Sequence, residues 1–517
     1  LIESNHLDKN IVVCSICSAT FCGSSQFGCD EGRVNCGCRE MSFVRLDKFC
    51  TGVVLLFFLG PHVVIGDGLN GKDQAKPHCA DEDCGQELFL TPFLNSGRIT
   101  EGREAAKVTD ILPGVLSYSG YFTVNETLGS NMFFWFFPAE TGSDEAPVVL
   151  WLTGGPGRAF AHTLFYLNGP YIIVDGPELI PNLIYWSQAM NVIFIDNPVG
   201  AGFSFSKTGY VPTQQLEVGV DLLSAINQFF QLFSEFRKND FYIVGQSYGG
   251  KYATSLAHMI HENNPKTRSK VNLKGVAIGS GWVDPLNQID YSNYLYYLGL
   301  IDSKTKQAFA DTESQIQSLI KKEDYGKAFD MFDEYFLGKF SHTSLAENVT
   351  GFSVWNNYLE NDRPLFSVDE IIDVFMSNAS WRKSMHVGDV PFNSYNLTAF
   401  EHLIREDYLV SVAPWLETLM DHYSVLLFNG ELDIICPYPL AIKYVRRLKW
   451  KGADDYRKAH RKQWHVLGAL AGYAKTAGNF TEVLVRDTGH EVLQSRLLVM
   501  DMLSRFTRNI SFDAQIH

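Results

Sequence analysis

The chain has 517 residues, of which 46% are apolar and 13% aromatic, and its formal net charge is -15. That composition supplies a large core, and the length fits about two or three average domains or one large α/β enzyme. The acidic balance argues against a nucleic-acid partner, because no overall field draws in phosphates.

Residues 1–40 hold Cys14, Cys17, Cys22, Cys29, Cys36 and Cys38, in a spacing that matches no tidy zinc template. From Met41 the chain reads MSFVRLDKFCTGVVLLFFLGPHVVIGDG. Its basic start (Arg45, Lys48), its apolar run from Val53 to Ile65 and its small residues at Gly66 and Gly68 form the three-part pattern of a secretory signal peptide. Gly60, Pro61 and His62 interrupt the run, which is too short for a comfortable membrane span. Met41 is therefore expected to be the biological start, with 1–40 an upstream in-frame translation, 41–66 a signal removed near Gly66, and 67–88 a linker. Cys50 leaves with the signal, Cys79 and Cys84 lie close enough for a local bridge, and Cys436 remains as a free thiol. Asn125, Asn348, Asn378, Asn396, Asn479 and Asn509 each open an N-x-S/T triplet. With the signal, they predict a glycoprotein of the secretory pathway, secreted or lysosomal/endosomal.

Six short apolar runs then recur, each followed by a loop rich in Gly, Asn or Asp: VVLWL (148–152), VIFI (192–195), FYIV (241–244), GVAI (275–278), VLLF (425–428) and VLV (483–485). Runs without polar alternation suit strands buried on both faces, as in a parallel sheet between helices. Functional groups in such sheets collect on loops at the carboxyl ends of the strands. Between Pro285 and His386 the pattern turns helical, with an apolar stripe through Phe309, Ile316, Leu319 and Ile320. The expected architecture is an α/β core over 89–284 and 387–510, with a helical insertion at 285–386 capping the active edge of a mostly parallel sheet.

GQSYG (245–249) fits the G-x-S-x-G nucleophile elbow. The strand FYIV precedes it, and Ala253, Leu256, Ala257 and Ile260 at helical spacing predict an amphipathic helix after it. A nucleophilic Ser247 needs a base and an orienting acid. In the order the elbow fold uses, the candidates at strand ends are Asp433 in NGELD and His490 in RDTGH. The developing oxyanion needs two amide donors: one from Tyr248, after the nucleophile, and one from the TGGPG loop at 153–157. The run of nine cations from Lys443 to Lys462 reads as a solvated helical face. No metal or nucleotide template appears, since His460 and His465 lie five residues apart within that basic run, and no cofactor is expected.

Together these segments resemble the serine carboxypeptidases, in particular their vitellogenic-like branch. The likeness spans roughly residues 89–508, through YSGYFTVN (118–125), FFWFFP (133–138), VVLWLTGGPG (148–157), NVIFIDNPVGAGFSF (191–205), GQSYGGKY (245–252), MHVG (385–388) and AGYAKTAGNFTEVLVRDTGH (471–490). It implies the α/β-hydrolase fold and a peptide or protein substrate that loses C-terminal residues through an acyl-enzyme. The triad would be Ser247, His490 and Asp433, with oxyanion amides at Gly155 and Tyr248. The resemblance also assigns Trp151 and Cys436 to the substrate-binding surface, Cys436 matching a free thiol that many members keep near the active site.

The likeness breaks where the family grips a free C-terminal carboxylate. That clamp uses an Asn, a Gly and two glutamates; the corresponding positions here are Thr153, Gly154, Leu167 and Gln246. GHMVP becomes GHEVL, placing Glu491 after the base, and the usual Cys-Ser-Ser after GGPG reads Arg158, Ala159, Phe160, so a common family disulfide is missing. Gln246 can donate an amide N–H at any pH, whereas a glutamic acid must be protonated to do so. Carboxylate selection and the acid requirement are both expected to weaken. Two alternatives use the same residues: a catalytically weak glycoprotein with a binding role, and an acyltransferase.

Overall fold

All six apolar runs form strands in the computed structural model, which describes residues 82–174, 178–341, 343–361 and 368–514. The proposed upstream segment, the signal peptide and Cys79 lie outside the described residues; Cys84 is disulfide-bonded. Strands β1 (Lys107–Val108), β2 (Ser117–Asn125), β3 (Ser130–Phe137), β4 (Val148–Leu152), β5 (Tyr171–Val174), β6 (Glu178–Pro181) and β7 (Asn191–Ile195) come first. After them follow β8 (Phe205–Ser206), β9 (Phe241–Gln246), β10 (Leu273–Gly279), β11 (Ser424–Gly430), β12 (Lys462–Val466), β13 (Ala469–Ala477) and β14 (Phe480–Val485). Twelve of these build one sheet, in the order β1-β2-β3-β7-β4-β9-β10-β11-β14-β13-β12 with β8 beside β3, and β5 pairs with β6 apart from it.

The expected parallel sheet is the centre of this one: β7, β4, β9, β10, β11 and β14 run parallel. Both flanks are antiparallel. The reason is the length of the connections. Residues 126–129 join β2 to β3, and Gly478 and Asn479 join β13 to β14. Loops that short link only antiparallel neighbours.

The apolar strands alternate between two cores. Leu150, Leu152, Ile193 and Ile243 face one layer, with Leu222 and Phe229 of the helix Gln215–Leu232. Val149, Trp151, Phe194 and Val244 face the other. Burial of each such side chain contributes roughly 1.5–3 kcal/mol, so both faces of the central strands must stay covered. The helix after the elbow, Gly249–Asn263, departs from the amphipathic expectation: residues 249–257 are buried on every side. It is wedged between the sheet, the helix Gln215–Leu232 and the helix Ala413–Met420.

Between β10 and β11 the described chain is helical, from Pro285–Gln288 through Tyr291–Tyr297 and Ser303–Lys321 to Leu397–Glu406 and Ala413–Met420. Helical structure thus continues past residue 386, because Leu397–Glu406 packs on Tyr325–Phe332 rather than on the sheet. The basic run from Lys443 to Lys462 is not one solvated helical face. It spans the helices Tyr438–Val445 and Ala453–Lys458 and the start of β12, since Leu448 and Trp450 turn into the core between them. Lys443 pairs with Asp290 at 2.8 Å and Lys462 with Asp513 at 2.6 Å.

Candidate active site

Ser247 stands between β9 and the helix Gly249–Asn263 with φ of 58°. Left-handed backbone is disfavoured for a residue with a Cβ, at about 1–2 kcal/mol, so the surroundings must hold it. They do: the Ser247 amide donates to the Gly279 carbonyl (2.9 Å), and the Trp282 amide donates to the Ser247 carbonyl (3.1 Å). The flanking glycines are a steric requirement. A Cβ on Gly245 would lie 2.1 Å from the Gly249 carbonyl oxygen, and one on Gly249 would lie 2.4 Å from that of Leu152. The TGGPG loop closes on the same turn, since a Cβ on Gly154 would sit 2.9 Å from the Ser247 Cβ and 3.1 Å from the Tyr248 nitrogen. Gly155, in the same loop, has φ of 123°, backbone open chiefly to glycine.

The acid and the base come together from two further strand ends. Asp433 follows β11, His490 follows β14, and both are buried. Asp433 Oδ2 lies 2.9 Å from His490 Nδ1, while Oδ1 accepts from the Cys436 amide at 3.0 Å. Burial pulls the His490 pKa down, but the charge and hydrogen bond of Asp433, helped by Glu491, outweigh it and hold the imidazole above its ordinary value. Gln246, the residue before Ser247, ties the serine turn to the histidine loop through Nε2, 2.8 Å from the His490 carbonyl oxygen.

Gln246, expected to offer its amide to a substrate carboxylate, has a second partner within the protein. Gln246 Nε2 also lies 3.2 Å from Glu491 Oε2. A carboxamide has two N–H groups, and both have acceptors inside the protein, so Gln246 is not a free donor for a substrate carboxylate. Leu167 is buried, and its carbonyl accepts from Arg496 Nε at 2.8 Å. The Thr153 hydroxyl accepts from Trp151 Nε1 at 2.9 Å. Trp151 is wholly buried, edge-on to Trp186. Where contact with substrate was expected, residue alternation along β4 turns the Trp151 ring into the core. Cys436 is free and buried, and burial, with the nearby Asp433 charge, pushes its thiol well above its ordinary value.

Glu491 sits among charged neighbours. Burial, the largest influence, would raise its carboxyl; His162, His490, Arg158 and the Gln246 amide outweigh it, leaving the group below its ordinary value. Arg158 is itself paired with Asp369 at 2.8 Å. Burial, then Arg158, pushes the His162 pKa down.

Residues 109–509 match the family model described as serine carboxypeptidase. The chain belongs to the serine carboxypeptidase family. It is 44% identical over 446 residues to the venom serine carboxypeptidase of Apis mellifera, covering 85% of this chain and 95% of that one. It is 40% identical over 445 residues to the human protein named "Probable serine carboxypeptidase CPVL", covering 84% and 92%. The vitellogenic carboxypeptidase of Aedes aegypti is also 40% identical, over 443 residues, covering 84% and 93%. Among solved structures, Kex1, a prohormone-processing carboxypeptidase from Saccharomyces cerevisiae, aligns with a TM-score of 0.69 at 21% identity, over 79% of this chain and 96% of its own. The α/β-hydrolase fold that the resemblance implied is the one present.

Several residues that hold this carboxypeptidase site carry no sequence motif. The Tyr294 hydroxyl donates to the Asp433 carbonyl at 2.8 Å, and the Tyr291 hydroxyl to that of Ile435 at 2.6 Å. The Ile434 amide donates to the Trp355 carbonyl, and the His490 amide to that of Asn356 at 2.6 Å. The helical insertion thus grips both the acid loop and the base loop. A tyrosine-rich stretch, YSNYLYY, was the only visible signal. Among the described residues, no group of His, Cys, Asp and Glu is arranged to hold a metal ion, and no helix is long and apolar enough to cross a membrane.

Proposed function

We propose that this serine carboxypeptidase cleaves peptides with Ser247 as nucleophile, His490 as general base and then acid, and Asp433 as the carboxylate that orients the imidazole. His490 Nε2 takes the Ser247 proton as Oγ attacks the scissile carbonyl. The Gly155 and Tyr248 amides stabilise the oxyanion, and the imidazolium returns its proton to the leaving nitrogen. Water then hydrolyses the acyl-enzyme by the same route. The observation that carries this reading is the 2.9 Å approach of buried Asp433 to His490 Nδ1, in a loop tied to the serine turn by Gln246. It leaves Nε2 as the nitrogen available to Ser247.

Recognition of the free C-terminus is weaker than in family members with the full clamp. Leu167 offers no donor, and both N–H groups of Gln246 have internal acceptors. A hydrogen bond to a charged group contributes about 1.5–3 kcal/mol, so two losses reduce selection for a carboxylate by about 10²–10⁴-fold. The venom name of one relative supports a secreted destination, and the N-x-S/T triplets support a glycoprotein of the secretory pathway, secreted or lysosomal. The eroded clamp also favours a second reading, a weakly active binding glycoprotein. An acyltransferase differs only in which acceptor meets the acyl-enzyme.

A fluorophosphonate probe tests the nucleophile. Labelling lost in Ser247→Ala is the expected result, and absence of labelling in the wild type refutes the catalytic reading. Hydrolysis of a blocked dipeptide and of its C-terminal amide, compared across pH, tests the clamp. A strong preference for the free acid, confined to low pH, refutes its weakening.

A further inference from the structure

The Tyr248 amide, at the N-terminus of the helix Gly249–Asn263, donates to no backbone carbonyl among the described residues. The peptide unit that carries it is gripped at both ends. At one end the Ser247 carbonyl accepts from the Trp282 amide at 3.1 Å and the Gly250 amide at 3.0 Å. At the other, the Tyr248 side chain is buried, and its hydroxyl donates to Asp407 Oδ2 at 2.5 Å. Trp282 in turn donates through Nε1 to the Tyr408 carbonyl at 2.9 Å. Asp407 and Tyr408, consecutive residues after the helix Leu397–Glu406, thus reach both ends of one peptide unit. Such a unit is planar, so holding its ends also aims its N–H.

Asp407 is itself locked. Its carboxylate accepts from the Gln215 amide at 3.2 Å, from Gln215 Nε2 at 2.9 Å and from Lys251 Nζ at 3.2 Å. Lys251 Nζ also donates to the carbonyls of Asp407 at 2.5 Å and Val410 at 2.6 Å, which pins the turn to the helix that follows the serine. The Tyr248 ring stacks on that of Tyr408, 5.8 Å between centroids and 7° between planes. Lys251 and Asp407 are both buried. Well-packed apolar side chains of similar volume are often as stable as a buried ion pair, so stability alone does not account for this cluster. Its donors and acceptors fix direction, which apolar contacts do not.

We infer that Asp407 is a positioning residue: through the Tyr248 hydroxyl it aims the Ser247–Tyr248 peptide so that its N–H meets the oxyanion. This rests on the triad reading above and deepens it, adding a buried group that lies outside the reacting atoms. An oxyanion donor accelerates the reaction only when it is aligned on the charge that forms in the transition state, so Asp407 bears on kcat and not on substrate affinity. The pH dependence set by His490 stays as it is, because Asp433 and His490 stand at other strand ends.

The test uses Tyr248→Phe, which keeps the amide and the ring and deletes only the hydroxyl, with Asp407→Ala and the double variant beside it. For each protein, kcat and KM on one blocked dipeptide are expressed per active site titrated to completion with a fluorophosphonate. The inhibition constant of the matching peptide aldehyde is measured too, since its hemiacetal oxygen takes the oxyanion position. Loss of a whole oxyanion donor costs about 10²–10³-fold in kcat, so a misaimed one in Tyr248→Phe is expected to cost about tenfold. The aldehyde weakens by the same factor, while KM and the pH–rate profile match wild type. The double variant falls no further than Asp407→Ala, because both changes break one bond. Unchanged kcat and aldehyde binding per titrated site in Tyr248→Phe overturn the inference, whatever happens to its melting temperature, and leave the triad reading standing. So does a rise in KM alone, which makes the Tyr248 side chain a substrate contact, or a shifted pH–rate profile, which routes the effect through His490. If Asp407→Ala fails to fold, Tyr248→Phe decides by itself. A wild type that neither labels nor cleaves overturns the triad reading and this inference with it.

Discussion

Replacing Gln246 with glutamate puts an ionisable group where the protein now has a neutral donor. Nε2 of Gln246 faces two acceptors, the His490 carbonyl oxygen at 2.8 Å and Glu491 Oε2 at 3.2 Å. A carboxylate there meets an oxygen lone pair and a second carboxylate. At a relaxed separation of about 4 Å and an effective dielectric of about 20, the like-charge term is about 4 kcal/mol, or about three pK units. The introduced glutamate is therefore expected to titrate near pH 7 instead of near 4.3. Its folded-state pKa is raised, so the variant comes nearest wild type when protonated, with one O–H in place of two N–H donors, and loses further stability as pH rises from about 4 through about 7. Because the disturbed bond holds the His490 loop, kcat/KM falls over the same window. Thermal unfolding and pH–rate profiles of both proteins between pH 4 and 8 measure the two effects. Superimposable profiles refute the claim that Gln246 holds His490 and Glu491 through its amide.

Asp433→Asn presents an amide to His490 Nδ1 and favours the wrong tautomer, so kcat is expected to fall about 10³–10⁴-fold with the fold retained. Because Asp433 counters burial and holds the His490 value up, the acid limb of any residual pH–rate profile moves to lower pH. Asp196, buried with its two oxygens accepting from the Phe160 and Phe203 amides, is pushed up to about 7 by burial. Its folded value exceeds the unfolded one, so stability falls by up to about 4 kcal/mol as pH rises from about 4 to above 7. Asp196→Asn removes that slope, and urea midpoints at pH 5 and 8 for both proteins check it. Among the glycosylation triplets, Asn396 is expected to stay unmodified. Its Nδ2 donates to the Gly200 carbonyl, and its Oδ1 accepts from the Ala399 amide, each at 2.8 Å. Asn348 and Asn479, both exposed, are expected to carry glycans, and glycopeptide mass spectrometry of secreted protein reads the occupancy.

The amino-acid sequence alone determined the features encoded within a few neighbouring residues. VVLWL, FYIV and VLLF lack polar alternation, so they had to be strands covered on both faces. Gly245 and Gly249 around Ser247 marked a turn that no larger residue fits, and chain order singled out Asp433 and His490. Tertiary structure decided what depends on partners distant in sequence. It turned the Trp151 ring into the core, and gave the Gln246 amide to His490 and Glu491, 244 and 245 residues away. It also put Tyr294 and Asn356 of the helical insertion under the acid and base loops. Hydrophobic period and turn chemistry are local properties of the chain. A side chain's hydrogen-bond partner is set by which strand ends share an edge of the sheet, and that exists only once the strands have paired.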